Sequence, residues 1–366
     1  MLKIAVITRH AITNYGSLLQ AMATQKVFEG LGFDCEIIDY VRTQENYRNI
    51  EKSLLKTKKE WNNSLLKKSL YLLLRQPESL FAGKRFEMFR LKYLKLSERY
   101  TNLEELKERP PEADLYVTGS DQVWGPVEDG TYDEAYTLSF TKEKKISFAA
   151  SFGHAELTDS TRTYYKNRLT EYSHITVRED SAVVALRSIG IESRQILDPT
   201  LILNASFWNR LLKPIKMRKY ILVYQIHNNK KLDRYAKNVS KLKGLPLVRV
   251  SAYFHQIVRP GRLVLCPEVD TFLSYIKNAE CLITDSFHGT TFAINFNIPF
   301  VEILPNNNTE TRNKNILNLT GLSDRILDNE EDYELVDKKI DYSYTNNILE
   351  LERKKSLRLL EKMISE

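Results

Sequence analysis

Short apolar strands alternate with helical stretches along this chain, and the alternation runs through it twice. Residues 4–8 read as a strand, 17–31 as a helix ending among Gly30 and Gly32, and 35–40 as a second strand. A strand, a helix and a strand in that order build a parallel sheet, because only a long crossover brings the second strand back alongside the first. More strands are expected at 115–118, 145–150 and 173–177. The rhythm stops at 195–203, where Asp198 and Pro199 break regular structure. It restarts with strands at 220–225 and 247–250 around a helix at 231–243. A helix at 271–279 then leads into a strand at 281–284, a helix from Thr290 and a last strand at 300–303. The expectation is an α/β protein of two units, 1–195 and 196–340, the first with a helical insert at 46–110. Residues 341–366 are expected to form a charged helix, with Leu349, Leu357, Leu360 and Ile364 on one stripe, that braces the two.

In an open parallel sheet the loops that follow the strands share one edge, and ligands bind there. The stretch CLITDSFHGTTFAINFNIPF, residues 281–300, sets a polar turn at 285–289 between a strand and a helix. Ser286, His288 and Gly289 lie in that turn. Helix N–H groups attract anions, and an imidazole moves protons near neutral pH. The same position also suits a capping or packing histidine. After the first strand, RHAITNYGS places Asn14, Gly16 and Ser17 before a helix. Gly16 lets backbone approach a ligand, while Asn14 or Ser17 could cap the helix or touch substrate. Ser120 and Asp121, Ser151, and Arg178 each follow a strand.

Composition narrows the class. The chain has 366 residues, is 42% hydrophobic and 28% charged, and has no low-complexity tract, which fits an ordinary folded protein. Its three cysteines, Cys35, Cys266 and Cys281, are far apart and lack metal-type spacing. They argue for a reducing compartment and against a disulfide framework or a zinc site. The first residues read as a strand rather than a signal peptide, and no apolar run reaches the length of a membrane span, so a cytoplasmic protein is expected. A formal charge of +7 makes an anionic partner plausible, although no nucleic-acid motif is present. No dinucleotide glycine fingerprint and no P-loop occurs, which weighs against a dehydrogenase or a P-loop kinase. In the insert, Lys52, Lys56, Lys58, Lys59, Lys67 and Lys68 mix with Leu54, Leu55, Trp61, Leu65, Leu66 and Leu70. That mixture suits either an amphipathic helix on an anionic membrane surface or an insertion packed on its domain.

Seven stretches in order resemble the polysaccharide pyruvyl transferase family: NYGSLLQA (14–21), TGSDQVWG (118–125), ISFAASFG (146–153), TVRED (176–180), LDPTLIL (197–203), TDSFHGTTFA (284–293) and TGLSDRI (320–326). The resemblance implies two Rossmann-like domains facing a cleft, as in the glycosyltransferase B architecture. It implies transfer of a pyruvyl group from phosphoenolpyruvate to two hydroxyls of one sugar, forming a cyclic ketal. The acceptor is expected to be a cell-surface polysaccharide or its lipid-linked precursor, with no cofactor beyond phosphoenolpyruvate as co-substrate and no metal. His288 matches the family's essential histidine, expected as general acid/base. Arg178 matches an arginine that binds the donor's anionic groups. Asn14, Gly16, Ser120 and Asp121 are expected to line the cleft, with Asp121 orienting a hydroxyl, serving as a second base or only holding its turn. Family members often carry arginine two places before the histidine, where this chain has Ser286. Arg312, expected in the TETRNKN loop beyond the last strand, or failing that Arg9, after the first strand, is the expected replacement cation. A nucleotide-sugar glycosyltransferase and a non-catalytic glycan-binding protein are the alternatives to a pyruvyl transferase.

Overall fold

The computed structural model describes residues 2–127, 130–153, 157–305 and 310–366. The chain divides into two compact units, Met1–Pro199 together with Leu357–Glu366, and Thr200–Ser356.

The first unit is built on seven parallel strands: β1 (Lys3–Ile7), β2 (Asp34–Tyr40), β3 (Leu96–Tyr100), β4 (Leu115–Thr118), β5 (Lys145–Ala150), β6 (His174–Val177) and β7 (Arg194–Gln195). Their order is β3-β2-β1-β4-β5-β6-β7. Ile4, Ala5, Val6 and Ile7 of β1 are completely buried, as expected of a central parallel strand covered on both faces. The helices are α1 (Tyr15–Gly30), α2 (Ile50–Thr57), α3 (Leu65–Tyr93), α4 (Leu103–Glu108), α5 (Asp159–Leu169) and α6 (Asp180–Arg187). Helix α1 is buried almost all round because it lies between two partners. Phe28 meets Phe148 of β5 at 5.4 Å between ring centroids, and Tyr15 meets Phe86 of α3 at 4.9 Å.

The stretch 46–110, expected to be helical, also supplies β3. Its sequence LSERY is half exposed and pairs with β2 at the sheet's edge, with a register shift between Ile37 and Asp39. An edge strand open to solvent carries little apolar signal, so periodicity does not betray it.

The second unit holds five parallel strands: β8 (Ile221–Tyr224), β9 (Leu247–Ser251), β10 (Arg262–Leu265), β11 (Cys281–Thr284) and β12 (Phe300–Glu302), in the order β10-β9-β8-β11-β12. Its helices are α7 (Pro199–Ile202), which begins at the last residue of the first unit, α8 (Ala205–Asn209), α9 (Lys230–Lys243), α10 (Val269–Lys277), α11 (Phe287–Phe296) and α12 (Thr311–Leu319). Helix α13 (Tyr342–Ser365) belongs to this unit as far as Ser356, and its remainder clusters with the first.

Both sheets reverse their winding once, between β1 and β4 in the first unit and between β8 and β11 in the second. At such a point the loops after the two central strands turn opposite ways and leave a crevice. The loops in question start at Thr8 and Gly119, and at Gln225 and Asp285.

Candidate active site

At the reversal point of the first unit, buried polar groups tie five loops together. Asn14 caps α1, its Oδ1 accepting from the Gly16 N–H at 2.8 Å. Thr8 Oγ1 donates to the Ser120 carbonyl at 2.7 Å, and Gln20 Nε2 donates to Thr8 Oγ1 at 2.9 Å. Asp121 is the hub. Ser17 donates to its Oδ2 at 2.6 Å and the Gln122 N–H to its Oδ1 at 2.9 Å. Its φ of +79° lies in the left-handed region that few non-glycine residues occupy. Such a conformation persists only where surrounding contacts enforce it, and it concentrates at functional loops.

Arg178, the first residue after β6, is buried. Its Nη1 donates to Asp198 Oδ2 at 2.9 Å, and its guanidinium lies within ion-pair reach of Asp121 (3.9 Å) and Glu179 (3.8 Å). Burial works against its charge, but the carboxylates of Asp198, Glu179 and Asp121 outweigh it, so its pKa is raised. Ser120 Oγ donates to the same Asp198 oxygen at 3.1 Å, and Ser151 donates to Glu179 Oε1 at 2.7 Å. The structure therefore gathers Asn14, Gly16, Ser120, Asp121 and Arg178 at one edge, with Arg178 facing carboxylates of its own chain. Arg9 is elsewhere engaged: it donates to the Pro126 carbonyl at 3.3 Å and lies 3.5 Å from Glu45 Oε1. Asp198, expected only to interrupt regular structure, turns out to be the anchor of Arg178.

At the reversal point of the second unit stands the turn after β11. Ser286 Oγ caps α11 by accepting from the Gly289 N–H at 3.2 Å. The capping role thus falls to Ser286 and leaves His288 in the first turn of the helix, nearly buried. Gly289 is needed for close packing: a Cβ there would lie 2.5 Å from Thr284 Oγ1 and 3.2 Å from Tyr224 Cδ1. Asp285, which the sequence marks only as the start of the polar turn, spans the reversal point. Its carboxylate accepts the backbone N–H groups of Ile226 (2.7 Å) and His227 (3.2 Å), and His227 Nδ1 lies 3.6 Å away. The loops after β8 and β11 are thereby held to each other.

Arg312 is not in a loop, as expected, but in the first turn of α12. Its guanidinium carbon lies 5.8 Å from the centroid of the Phe287 ring, and that ring is 5.2 Å from the His288 ring. The Phe287 ring therefore neighbours both the Arg312 guanidinium and the His288 imidazole, beside the positive end of the α11 dipole. The far end of α11 is fixed as well. Phe292 packs edge-on against Trp208 at 5.0 Å, and Asn295 Nδ2 donates to the carbonyls of Thr200 and Leu203.

Beneath the first turn of α11 lies Glu302, fully buried at the end of β12. It accepts from Asn313 Nδ2 at 2.6 Å and contacts the Thr290 hydroxyl, which also lies 3.1 Å from the Ser286 carbonyl. Burial raises the Glu302 pKa to about 8 against the opposing hydrogen bonds, and the nearby Asp285 charge pushes the same way. One hydroxyl proton cannot serve both oxygens beside Thr290. A protonated Glu302 that donates to Thr290 satisfies all three groups.

A cavity of about 800 Å³ in the first unit lies away from these groups, lined by His174, Ile175, Arg194 and Lys362. It opens where β6 begins, at the opposite edge of the sheet from Arg178.

Two doubly wound parallel sheets of seven and five strands define an α/β protein of the class shared by glycosyltransferases of the B architecture and UDP-N-acetylglucosamine 2-epimerases. The UDP-N-acetylglucosamine 2-epimerase from Rickettsia bellii aligns over 99% of this chain and 96% of its own, with a TM-score of 0.52 and 13% identity. Arabidopsis thaliana UGT89C1 complexed with UDP-L-rhamnose aligns over 99% of both chains, with a TM-score of 0.51 and 8% identity. At such identities the likeness is one of fold. No curated protein matches the chain significantly. The family model for polysaccharide pyruvyl transferase matches residues 14–308, and the chain belongs to that family of enzymes.

Proposed function

We propose that the enzyme moves the pyruvyl group of phosphoenolpyruvate onto two hydroxyls of one sugar in a cell-surface polysaccharide or its lipid-linked precursor, forming a cyclic ketal. The observation that carries this reading is the placement of His288. It sits at the reversal point of the five-stranded sheet, at the positive end of α11, in a segment within the family match.

The chemistry needs few groups. An acid protonates the methylene carbon of phosphoenolpyruvate, and the adjoining carbon becomes electrophilic. One sugar hydroxyl attacks that carbon and loses its proton. The carbon–oxygen bond to phosphate breaks, and the second hydroxyl adds in its place. Two hydroxyl protons are released: one balances the proton delivered to the methylene carbon, and the other leaves with phosphate. We assign the acid/base role to His288, whose ring can give the first proton and accept the next. The donor's carboxylate and phosphate need positive partners, which the α11 N-terminus and Arg312 supply. Ser286 leaves no arginine two places before the histidine, and Arg312 reaches the same turn from α12. Asp285 acts as a positioning residue by holding the turn to the β8 loop.

Roles in the first unit are assigned to the acceptor. Asn14 offers its side chain to a glycan, buried Gly16 and Ser120 hold the loops behind it, and Asp121 receives a hydroxyl proton. Arg178 fits a positioning role better than direct donor binding, because Asp198, Asp121 and Glu179 already neutralise it.

The test uses glycan extracted from cells that lack the protein, which retains unmodified acceptor sites. With phosphoenolpyruvate and this glycan, the enzyme is expected to yield one phosphate per ketal, read by phosphorus NMR and mass spectrometry of the glycan. Transfer of a hexose from a nucleotide sugar, with no ketal formed, would replace this reading with the glycosyltransferase alternative.

A further inference from the structure

Helix α3 carries two apolar faces, and the protein uses one. Its inner face holds Tyr71, Ala82, Phe86 and Phe89, all buried, and Gly83 admits Tyr47 so closely that a Cβ there would overlap the tyrosine. At about 100° per residue, Leu66, Leu70, Leu73, Pro77, Leu80, Phe81, Met88 and Leu91 fall on the opposite side within a sector of roughly 100°. Leu66 is 85% exposed, Leu73 71% and Leu91 66%. The row is about 38 Å long at the helical rise per residue, more than a monomer normally leaves bare.

The charges on the same face choose the partner. Lys84 stands within the apolar row, and Lys67 and Lys92 border it, all three exposed. No exposed residue of α3 is acidic. Glu78 is buried against Arg75, and Glu87 is half-buried against Arg99. A second copy of this helix would bring Lys84 into an apolar contact with no carboxylate to meet it. On an anionic bilayer the leucines enter the acyl boundary, while Lys84 extends along its own methylenes to the headgroups.

We propose that the outer face of α3 docks the enzyme flat on a membrane rich in anionic phospholipid. This stands on a different observation from the catalytic reading and gives a lipid-linked acceptor a surface on which to be met.

The experiment is flotation of the full chain with vesicles of phosphatidylcholine, with and without phosphatidylglycerol. The chain is expected to float with the anionic vesicles and to be released by high salt. Leu73→Glu combined with Leu80→Glu is expected to weaken binding by at least about tenfold, and Lys84→Glu also weakens it. The thermal midpoint stays unchanged, because these side chains face outward. Absence of flotation, or equal flotation of the Leu73→Glu/Leu80→Glu variant, overturns the proposal. So does light scattering that shows a vesicle-free dimer split by those substitutions, which would assign the face to a second copy. Ketal formation on extracted glycan without vesicles tests the catalytic reading separately, so either can fail alone.

Discussion

Asp121 holds a left-handed backbone while its carboxylate receives Ser17 and the Gln122 N–H. Asparagine tolerates the same backbone and keeps one acceptor oxygen. Asp121→Asn is therefore expected to fold within about 1 kcal/mol of the parent but to lose most acceptor-dependent phosphate release. Unchanged turnover in that variant would reduce Asp121 to a residue that shapes its turn. Asp285 differs because its partners are backbone. Asp285→Ala strands two N–H groups and is expected to cost roughly 1–3 kcal/mol, lowering the thermal midpoint together with kcat. A variant that melts with the parent would show that the β8 and β11 loops are joined by something else. The motif around His288 was legible because its polar turn interrupts an apolar run. The role of Asp285 in the same motif was not, because the groups it receives lie 58 and 59 positions earlier in the chain. Asp198 hid in the same way: its neighbour Pro199 announces a break in structure, while its ion pair with Arg178 spans 20 residues.

Among the elements, α11 rests on an acid that its burial keeps neutral. Unfolded, a glutamate ionises near pH 4.3. Folded, Glu302 holds its proton until about pH 8. Between those values the folded state binds the extra proton, so this contribution is complete at low pH and is lost as pH rises through the interval. The parent is expected to melt lower at pH 8 than at pH 5, and Glu302→Gln, neutral throughout, to show a flatter dependence. Each 1 kcal/mol corresponds to about 2–4 °C in a unit of this size. Identical pH profiles for the two proteins would show that Glu302 is ionised in the fold. The strand–helix rhythm was legible wherever strands were buried on both faces, as in β1, β4, β5 and β11. It failed at β3, whose half-exposed polar residues give no periodic mark. It also missed that Arg312 lies in α12, because the helix begins among polar residues, TRNKN, with no apolar row at its start.

For the whole molecule, the family follows from a match over residues 14–308 and the fold from two parallel sheets. Among the described residues no helix is long and apolar enough to cross a membrane. The proposed catalysis depends on an imidazole at the start of α11 handing a proton to the enol methylene carbon. The direct measurement is acceptor-dependent phosphate release from phosphoenolpyruvate by the parent and by His288→Ala, with circular dichroism to confirm that both are folded. An acid role for His288 requires release in the variant to fall by at least about 10²-fold while the fold is retained. Full release by folded His288→Ala would contradict it.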